Sequence, residues 1–399
     1  MKILLITQNF YPELGSAANR ITTLFKMLSI HKHDIHVLTT TPAYPKKNLF
    51  NNKKFFNDYY LNFSKKKNRV YRLKSRYPKQ SKNIPLRILY FTEEFLKLRK
   101  YLKKHQTEYE IIYVTTPNIF LAWGTLFFKR KNIKYILEIR DLWPDSVNQI
   151  EGMRIQLLMP FLKYLEKKMY LAADKIVINN PSFREHINNI TKMNKPIFYL
   201  PNGIKKLEIP NSQKHKNFTV IYTGNIGLAQ DVNKLISIAK LLNENSIHFI
   251  AIIYGPNSDY FKKEVMELPY IRIKDPLPRE ECLQEIAKAH VSLSILKSSE
   301  VFLNVLPGKI IDAICMGTIP ATNLGGYTEK IINENHIGIA KKDIKTEILL
   351  DEILKLSKQS HQLNYMQNNA INFRNDNFIW ENNIKYLNQF FLKEGDIFD

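Results

Sequence analysis

The chain has 399 residues, with 59 Lys and Arg against 37 Asp and Glu, and its formal net charge of +22 points to an anionic partner. The length predicts two or three domains, and a hydrophobic content of 44% is enough for real cores, which excludes a wholly disordered chain. The sequence has two cysteines, Cys282 and Cys315, and no His cluster at ligand spacing, so neither a disulfide scaffold nor a structural zinc site is expected.

The chain starts with a short apolar run after Lys2 that becomes polar at Thr7, which is too short for a secretory signal. The longest apolar stretch, residues 119–128, is about half the length that a membrane-spanning helix needs. These features predict a cytoplasmic protein without a transmembrane helix.

The first half of the chain alternates strand-like apolar runs with helical patterns. This βαβ order predicts a parallel sheet with helices on both faces. The predicted strands are 2–7, 34–39, 111–115, 134–139 and 175–179. The predicted helices between them are 19–30, 119–130 and 159–172.

Most of the positive charge lies in one region of this first half. Residues 46–104 hold 19 Lys and Arg against 3 Asp and Glu, which accounts for +16 of the total +22. Residues 46–82 have little periodicity and are predicted to form a long connection, whereas residues 86–104 have apolar residues at helical spacing among basic ones. This pattern predicts a basic amphipathic helix, which suits an anionic membrane surface.

Two other interpretations of this basic region stay open. The helix can face the protein core and expose a solvated basic face, as most amphipathic helices do. Nucleic acid is the other anionic partner to consider. It is disfavoured because the chain has no zinc-finger spacing, RNP-like strand or other recognisable nucleic-acid module.

A second alternating set of elements begins after Pro201-Asn202-Gly203. Its predicted strands are 218–222, 248–253, 270–273, 290–296, 319–321 and 338–340. Its predicted helices are 231–243, 259–268, 279–287, 309–316 and 328–333. Two successive sets predict two Rossmann-like domains with ligands bound in a cleft between them, at the carboxyl ends of the strands.

Glycine-containing turns follow the first strand of each half. The chain has no P-loop and no GxGxxG after its first strand, which argues against ATP-driven phosphoryl transfer and dinucleotide redox chemistry. Gly15 stands in the first turn, and Gly224, Asn225 and Gly227 stand in the second. A turn of this kind before a helix can cradle a phosphate.

A third segment, residues 303–317, places Pro307 and Gly308 before a predicted helix. Lys309 then lies on the first turn and Asp312 one turn later. Backbone N–H groups and a lysine suit a diphosphate, and a carboxylate three residues on suits two ribose hydroxyls. The alternative is an ordinary helix start with a solvated Lys and Asp.

Eight motifs follow one another along the chain: FYPELGSAANR, EIRDLWPDSV, PNGI, YTGNIGLAQDVNKL, YGPNSD, PLPREE, VLPGKIIDAICMGTIPAT and LGGYTE. In their order and spacing, from Met1 to about Trp380, the chain resembles the retaining nucleotide-sugar glycosyltransferases of family 4. It is most similar to the capsule and O-antigen subgroup that includes N-acetyl-fucosamine transferases. The most specific parts are Arg140 to Pro144 and Tyr222 to Gln230.

The resemblance implies the GT-B fold, an α/β architecture of two Rossmann-like domains whose parallel sheets face a central cleft. Residues 1–198 would form the acceptor-side domain, which contains the basic, membrane-facing region 46–104. Residues 199–376 would bind the nucleotide sugar, and residues 377–399 would form a helix that crosses back to the first domain.

The resemblance also implies roles for single residues. Those expected to contact the donor are Gly15, Gly224, Asn225, Gly227, Tyr254, Gly255, Arg279, Pro307, Gly308, Lys309 and Asp312. Among them, Tyr254 and Gly255 would meet the nucleobase with Arg279 nearby, Lys309 would hold the phosphates and Asp312 the ribose.

The chain also departs from the family pattern. Many members have two glutamates separated by seven residues in the third segment, where this chain has Asn304 and Asp312. Asn225 and Gln230 stand where the family's Arg and Lys are expected. Lys309 and Arg279 are therefore the cations left to serve the donor.

Retaining transfer in this family needs electrostatic stabilisation of the leaving diphosphate more than a side-chain nucleophile. We therefore expect Lys309, Arg140 and Asp141 to be the catalytic residues. Asp141 would order the acceptor hydroxyl and Arg140 an anionic group. The competing interpretation is an Arg140–Asp141 ion pair that braces the following Trp143-Pro144 turn.

Together with the basic helix, the resemblance implies a retaining transferase that moves a sugar from a UDP-sugar to a polyprenyl-diphosphate-linked acceptor in capsule or O-antigen synthesis. The sugar is expected to be an N-acetylated deoxysugar such as N-acetyl-fucosamine. No metal ion, other cofactor or nucleic acid is expected, and the enzyme would sit peripherally on the inner face of the cell membrane. The rival enzyme is a sugar-nucleotide 2-epimerase, which has a similar fold but needs a cleft His for which no motif is found.

Overall fold

The structure, a computed structural model, describes residues 1–31, 33–56, 69–79, 81, 83–145 and 156–392. The chain forms two compact units, one of Met1–Pro201 with Ile384–Asp399 and the other of Asn202–Asn383. The sequence analysis puts the corresponding boundaries at 198/199 and 376/377. None of the described helices is both long and apolar enough to span a bilayer.

The described residues of the first unit form a parallel sheet in the order β3-β2-β1-β4-β5-β6-β7. The strands are β1 (Lys2–Ile6), β2 (Asp34–Thr40), β3 (Val70–Leu73), β4 (Ile111–Thr115), β5 (Lys134–Ile139), β6 (Lys175–Ile178) and β7 (Ile197–Tyr199). Strand β1 is central, where Ile3 pairs with Ile35 on one side and Ile111 on the other. Its apolar side chains are buried, as expected where helices cover both faces of a parallel sheet.

Asparagine side chains cap two of the described helices of the first unit. The helices of this unit are α1 (Ser16–Ile30), α2 (Ile84–His105), α3 (Ile119–Leu126), α4 (Met159–Ala172) and α5 (Phe183–Thr191). The Asn83 side chain accepts a hydrogen bond from the Leu86 N–H at the start of α2, and Pro85 occupies the first turn. The Asn118 side chain caps α3 in the same way.

Helix α2 is the predicted basic helix, and its two faces differ. Tyr90, Leu98 and Leu102 are buried in the core of the first unit, where α2 packs against α3. Lys100, Lys103 and Lys104 are exposed on the other side. One face of the helix therefore belongs to the core, and the basic face is left exposed.

The second unit repeats the same strand order, β10-β9-β8-β11-β12-β13, again with parallel pairing. The strands are β8 (Thr219–Asn225), β9 (His248–Tyr254), β10 (Ile271–Lys274), β11 (Val291–Ser294), β12 (Ile319–Thr322) and β13 (Ile339–Ala340). The helices are α6 (Val232–Glu244), α7 (Ser258–Val265), α8 (Arg279–Lys288), α9 (Gly308–Cys315), α10 (Gly326–Glu334), α11 (Thr346–Lys358), α12 (Ser360–Asn377) and α13 (Trp380–Leu392).

The later part of α13 belongs to the first unit. There the Phe390 ring stacks on Phe198 at a centroid distance of 5.4 Å, and the Phe391 carbonyl accepts a hydrogen bond from Lys134 Nζ at 2.9 Å. Lys175 Nζ donates to the Phe390 carbonyl. Residues 393–399, the end of the predicted crossing segment, lie outside the described residues.

The prediction of two doubly wound α/β domains is confirmed, and most predicted elements differ from the observed ones by a few residues at their ends. The prediction that residues 46–82 form one long connection is wrong for β3, an edge strand that pairs with β2. Basic and polar residues are common on edge strands, and here they hide the alternation that marks a strand. Residues 57–68 of this region lie outside the described residues.

Candidate functional site

The sheet of the second unit has a topological switch point between β8 and β11. From β8 the strand order runs outward through β9 and β10, and from β11 it runs the other way through β12 and β13. Sheets of this kind bind ligands at the carboxyl ends of the strands on either side of the switch. The two segments that border this position are loop 224–230, which starts with the last two residues of β8, and the start of α9 after β11.

Hydrogen bonds hold loop 224–230 in one conformation. The Ile226 N–H donates to the Tyr254 carbonyl at 2.7 Å, and the Gly227 N–H donates to Gln230 Oε1 at 2.7 Å. The Asn257 side-chain amide donates to the Gly227 carbonyl at 3.2 Å. Gln230 therefore shapes the loop.

Two glycines let the backbone come close to the polar groups of this site. Gly224 has φ +100° and Gly255 has φ +109°, a region that side-chain-bearing residues rarely adopt. A Cβ on Gly255 would lie 2.0 Å from Asn225 Oδ1, and one on Gly224 would lie 3.5 Å from Lys309 Nζ. Gly255 thus leaves room for the Asn225 side chain, whereas at Gly224 the positive φ, and not the space beside Lys309, is what favours glycine.

Lys309 reaches back from α9 to loop 224–230. Its Nζ donates to the Asn225 carbonyl at 3.2 Å and lies 3.9 Å from the centroid of the Tyr222 ring, a cation–π distance. Burial lowers the pKa of Lys309 to about 7, although Cys282 and Asp312 act to raise it. Within the described residues Lys309 forms no ion pair, so an anionic ligand would supply the countercharge it lacks.

Arg279 and Asp312 form a bidentate ion pair beside Lys309. The two guanidinium nitrogens donate to the two carboxylate oxygens, each at 2.7 Å. Burial works against the Arg279 cation, but the attraction of Asp312 outweighs it and raises the pKa of Arg279. Each Asp312 oxygen keeps a lone pair that can accept one more hydrogen bond, so this pairing is compatible with the ribose contact expected of Asp312.

The start of α9 offers backbone donors at the same place. Pro307 precedes the helix without a side-chain cap, and the Ile310 N–H donates back to the Pro307 carbonyl at 3.0 Å. The first N–H groups of a helix, here those of Gly308 and Lys309, have no intrahelical acceptor. They add the positive end of a helix dipole to the Lys309 cation.

In the first unit, Arg140 and Asp141 follow the end of β5. The Arg140 N–H donates to Thr116 Oγ1 at 2.9 Å, and the Trp143 N–H donates to the Asp141 carbonyl at 3.0 Å. Burial lowers the pKa of Arg140 and raises that of Asp141. In this described part of the chain no ion pair joins the two side chains, so the bracing ion pair considered above is not observed.

A buried ion pair lies directly before these residues. Arg20 Nε donates to Glu138 Oε1 at 2.8 Å, and the other Arg20 nitrogens donate to the carbonyls of Leu200 and Pro201 at 2.9 and 3.1 Å. The two side chains are 1% and 0% exposed. The Tyr113 hydroxyl also donates to Glu138 Oε1, at 2.7 Å. The pair holds the end of β5 and residues 200–201 against α1.

The sequence analysis missed a second buried pair at the carboxyl ends of β1 and β2. Lys79 Nζ donates to both Glu13 carboxylate oxygens, at 2.7 and 2.8 Å, and to the Gln8 carbonyl at 2.9 Å. Glu13 also accepts from the N–H groups of Ala43 and Tyr44. Lys79 stands among many lysines, and nothing in the sequence marks it. The sequence analysis also missed Tyr222, whose ring Lys309 contacts. Its place directly before Thr223-Gly224 in the predicted turn could have pointed to it, whereas no such position marks Lys79.

The structure thus brings Gly224, Asn225, Gly227, Gly255 and Lys309 together at one switch point, with the Arg279–Asp312 pair beside them. Tyr254 holds loop 224–230 through its carbonyl oxygen. Pro307 and Gly308 lie at the start of α9, and the other predicted residues belong to the first unit: Gly15 precedes α1, and Arg140 and Asp141 follow β5. Where the described residues are concerned, no group of three or more His, Cys, Asp or Glu side chains is placed to hold a metal ion.

Comparison with known families matches residues 17–206 to the family model of Glycosyltransferase Family 4. The matched stretch covers most of the first unit. No curated relative matches the chain significantly.

Several solved structures resemble the chain over nearly its whole length. Sucrose-phosphate synthase from Thermosynechococcus elongatus is 12% identical with a TM-score of 0.72, over 98% of each chain. WaaG, a glycosyltransferase involved in lipopolysaccharide biosynthesis, is 13% identical with a TM-score of 0.66, over 98% of this chain and 100% of its own. Anabaena HepE in complex with UDP-glucose is 12% identical with a TM-score of 0.65, over 98% of each chain. At these identities the likeness is one of fold, and that fold is GT-B.

Proposed function

We propose that this chain transfers a sugar from a UDP-sugar to a polyprenyl-diphosphate-linked acceptor. The chain is a glycosyltransferase, because residues 17–206 match Glycosyltransferase Family 4 and the chain has the GT-B fold. The proposed donor sugar is an N-acetylated deoxysugar such as N-acetyl-fucosamine, and the proposed setting is capsule or O-antigen synthesis. The proposal includes retention at the anomeric carbon and no metal cofactor.

The observation that carries this proposal is the position of Lys309 at the switch point of the second unit. A partly buried ammonium without a carboxylate partner among the described residues, next to a helix N-terminus and loop 224–230, suits a diphosphate. HepE, which shares the fold, binds UDP-glucose, and this supports the choice of a UDP-sugar. As the sugar–phosphate bond breaks, negative charge grows on the diphosphate, and the Lys309 cation stabilises it.

The proposed acceptor groups are Arg140 and Asp141 at the end of β5. The partly buried Asp141 carboxylate orders the acceptor hydroxyl, and Arg140 attracts the diphosphate of the lipid-linked acceptor. Retention follows if the hydroxyl attacks the face that the diphosphate leaves, which gives an α-linkage from an α-linked D-sugar donor. This chemistry needs no side-chain nucleophile.

The first test is a thermal-shift screen of UDP-, GDP- and dTDP-sugars, followed by transfer from the best donor to a polyprenyl-diphosphate saccharide. We expect UDP-sugars to raise the melting temperature by mass action, and NMR of the product to show the donor's anomeric configuration. Stabilisation by other nucleotides alone would contradict the proposed donor. Formation of a C2 epimer from a UDP-N-acetyl sugar without acceptor would identify an epimerase instead.

Asp312 provides a sharper test of the donor site. If its carboxylate accepts from the ribose hydroxyls, Asp312→Ala should weaken UDP binding about tenfold or more, the effect of a charged hydrogen bond. The parent should bind UDP more tightly than 2′-deoxy-UDP, and this preference should shrink in the variant. Titration calorimetry with both nucleotides measures the two effects.

The Arg279–Asp312 pair requires a control for this experiment, because removing Asp312 also leaves Arg279 unpaired. The double variant Arg279→Gln/Asp312→Asn keeps a hydrogen-bonding pair without either charge. If the double variant binds UDP as tightly as the parent, the Asp312 carboxylate does not contact the ribose and only holds Arg279 in place. Equal affinity of Asp312→Ala and parent would remove Asp312 from the site.

We also propose that α2 attaches the enzyme to an anionic membrane surface. Its exposed lysines, Lys100, Lys103 and Lys104, would each contribute roughly 1 kcal/mol near such a surface. Lys97 is engaged elsewhere, since it pairs with Glu93 at 2.6 Å and donates to the Lys74 carbonyl. The exposed lysines are therefore the ones to change.

Replacing Lys100, Lys103 and Lys104 with Gln should lower binding to phosphatidylglycerol vesicles about 10- to 100-fold at low salt. UDP-sugar hydrolysis without acceptor should stay unchanged, because these side chains lie on α2 and the donor residues lie in the second unit. Vesicle sedimentation and a hydrolysis assay check the two results.

The matched control replaces Lys330, Lys341 and Lys358 with Gln, three exposed lysines of the second unit. This control removes the same charge from elsewhere and should keep most of the binding. Equal loss in both variants would mean that net charge, and not α2, drives attachment. If the parent protein does not bind phosphatidylglycerol vesicles at low salt, the proposed membrane attachment is wrong.

A further inference from the structure

An exposed cluster of large apolar side chains lies at the start of α4. Leu157 is 98% exposed, Leu158 57%, Phe161 59% and Tyr164 59%. We call these four residues the apolar apex. Isolated exposed residues such as Ile30 are usual on protein surfaces, but four within eight positions of one helix end form a patch.

The apolar apex lies on the side of α4 that faces away from the core. Positions 157, 161, 164 and 168 recur at helical spacing, and the opposite side places Met169 and Tyr170 in the core of the first unit. Toward the end of the helix the exposed side chains become basic, with Lys167 and Lys168. An apolar start followed by lysines is the arrangement of a helix that enters a membrane interface.

Among the described residues of α4 and α2, the exposed charges are positive, and the nearby Asp145, whose side chain is 39% exposed, is paired with Lys163 at 2.6 Å. The carboxylate of α4, Glu166, is 0% exposed and accepts hydrogen bonds from Tyr170 and His186. The two carboxylates of α2 are also turned inward, with side-chain exposures of 13% for Glu93 and 0% for Glu94. Both helices therefore present cations to solvent and keep their carboxylates away from it, which suits an anionic surface.

The apex also lies at the edge of the sheet where we place the acceptor groups. Helices between parallel strands run back from the carboxyl ends to the amino ends, so the start of α4 lies at the carboxyl-end edge, where Asp141 follows β5. The start of α2 lies at the same edge and adds Ile84 and Ile88, which are 52% and 56% exposed. The two helices flank α3 in one layer.

We propose that the apolar apex inserts into the hydrocarbon boundary of an anionic bilayer and so holds the carboxyl-end edge of the first unit against the membrane. This proposal rests on the membrane attachment proposed above and adds an apolar contact to the electrostatic one. The lysines of α2 attract the protein to the surface, and the apex fixes which edge meets it. A lipid-linked diphosphate would then be presented beside Asp141.

Vesicle binding at low and high salt separates the apolar contribution of the apex from the electrostatic contribution of the lysines. At about 1 M salt the Debye length is about 3 Å, so the contribution of the lysines is screened while apolar insertion persists. We expect the parent, and the triple Lys→Gln variant of α2, to keep a residual binding to phosphatidylglycerol vesicles. Leu157→Ser/Phe161→Ser should lose this high-salt binding about tenfold or more. Leu207→Ser/Met266→Ser, which changes two exposed apolar residues of the second unit, is the control and should bind like the parent.

Insertion itself has a direct readout. A Phe161→Trp variant in vesicles with brominated acyl chains should show fluorescence quenching beyond that of the parent, whose three tryptophans give the background. Met266→Trp should show no such increase. Absence of extra quenching in Phe161→Trp overturns the insertion even if the vesicles bind protein.

Each remaining outcome is also decisive. Vesicle binding by Leu157→Ser/Phe161→Ser equal to that of the parent at both salt concentrations overturns the apex while leaving attachment through α2 intact. Loss that occurs only when the vesicles carry polyprenyl diphosphate assigns the apex to the acceptor's chain and not to the bilayer. A changed oligomeric state in sedimentation velocity, with unchanged vesicle binding, means that a second copy covers the patch. Donor hydrolysis by the same variants tests the proposed transferase separately.

Discussion

We expect Lys309→Ala to lower kcat/KM for sugar transfer by about one to two orders of magnitude. Lys309 is the cation that contacts loop 224–230, and a charged hydrogen bond to a phosphate contributes about 1.5–3 kcal/mol. The loss should fall mainly on kcat, because the negative charge on the diphosphate is largest in the transition state. Steady-state kinetics with the donor found by thermal shift measure this effect.

The control for this prediction is Lys330→Ala, which removes an exposed lysine of the same unit and should leave kcat/KM unchanged. Circular dichroism and the melting temperature establish that Lys309→Ala is folded. If the folded variant keeps the parent's kcat/KM, Lys309 does not serve the reaction.

The lowered pKa of Lys309 adds a pH signature. The unfolded chain keeps the Lys309 proton up to about pH 10.5, whereas the ligand-free fold releases it near pH 7. Between these values the unfolded state binds more protons, so this group makes the free energy of unfolding rise with pH. Lys309→Met should lose that rise, and at pH 6 it should melt about 2–4 °C higher, since it no longer buries an ammonium group.

Breaking the Arg20–Glu138 pair should have the largest effect on stability. Glu138→Ala leaves the Arg20 guanidinium, 1% exposed, without its carboxylate, and removing one partner of a buried pair costs about 3–5 kcal/mol. The Tyr113 hydroxyl loses its acceptor as well. Urea unfolding of the variant should show a lower transition midpoint for the first unit.

A double replacement distinguishes the lost pair from a simple cavity. Arg20→Met/Glu138→Leu removes both charges and keeps apolar volume, so it should recover most of the stability lost in Glu138→Ala. An equally low midpoint in both variants would mean that packing, and not the unpaired charge, sets the loss. A midpoint for Glu138→Ala equal to that of the parent would show that water reaches Arg20.

Uninterrupted apolar strands made the fold predictable. Runs such as Lys2–Ile6 and Ile111–Thr115 are buried on both faces, so their hydrophobicity alone reveals them. Helix α12 (Ser360–Asn377) was not predicted because it buries few apolar residues, among them Leu363, Met366 and Ala370, within an Asn- and Gln-rich sequence. Strand β7 was missed because it is only three residues long.

The candidate site was predictable only where it is local in sequence. Pro307, Gly308 and Lys309 are consecutive, so a helix start with a cation could be read directly. The pairing of Arg279 with Asp312 joins residues 33 positions apart, and the contact of Lys309 with Tyr222 joins the start of α9 to β8. Such contacts depend on strand order, which residue spacing does not encode.

The place of Ile384–Leu392 in the first unit has a consequence for protein synthesis. A ribosome releases the first 201 residues long before it reaches Phe390 and Phe391, which pack against Phe198 and Tyr113. At about 5–20 residues per second, this part waits roughly 10–40 s for its last helix. The nascent chain therefore exposes an unfinished core during that interval, which is a natural binding site for a chaperone.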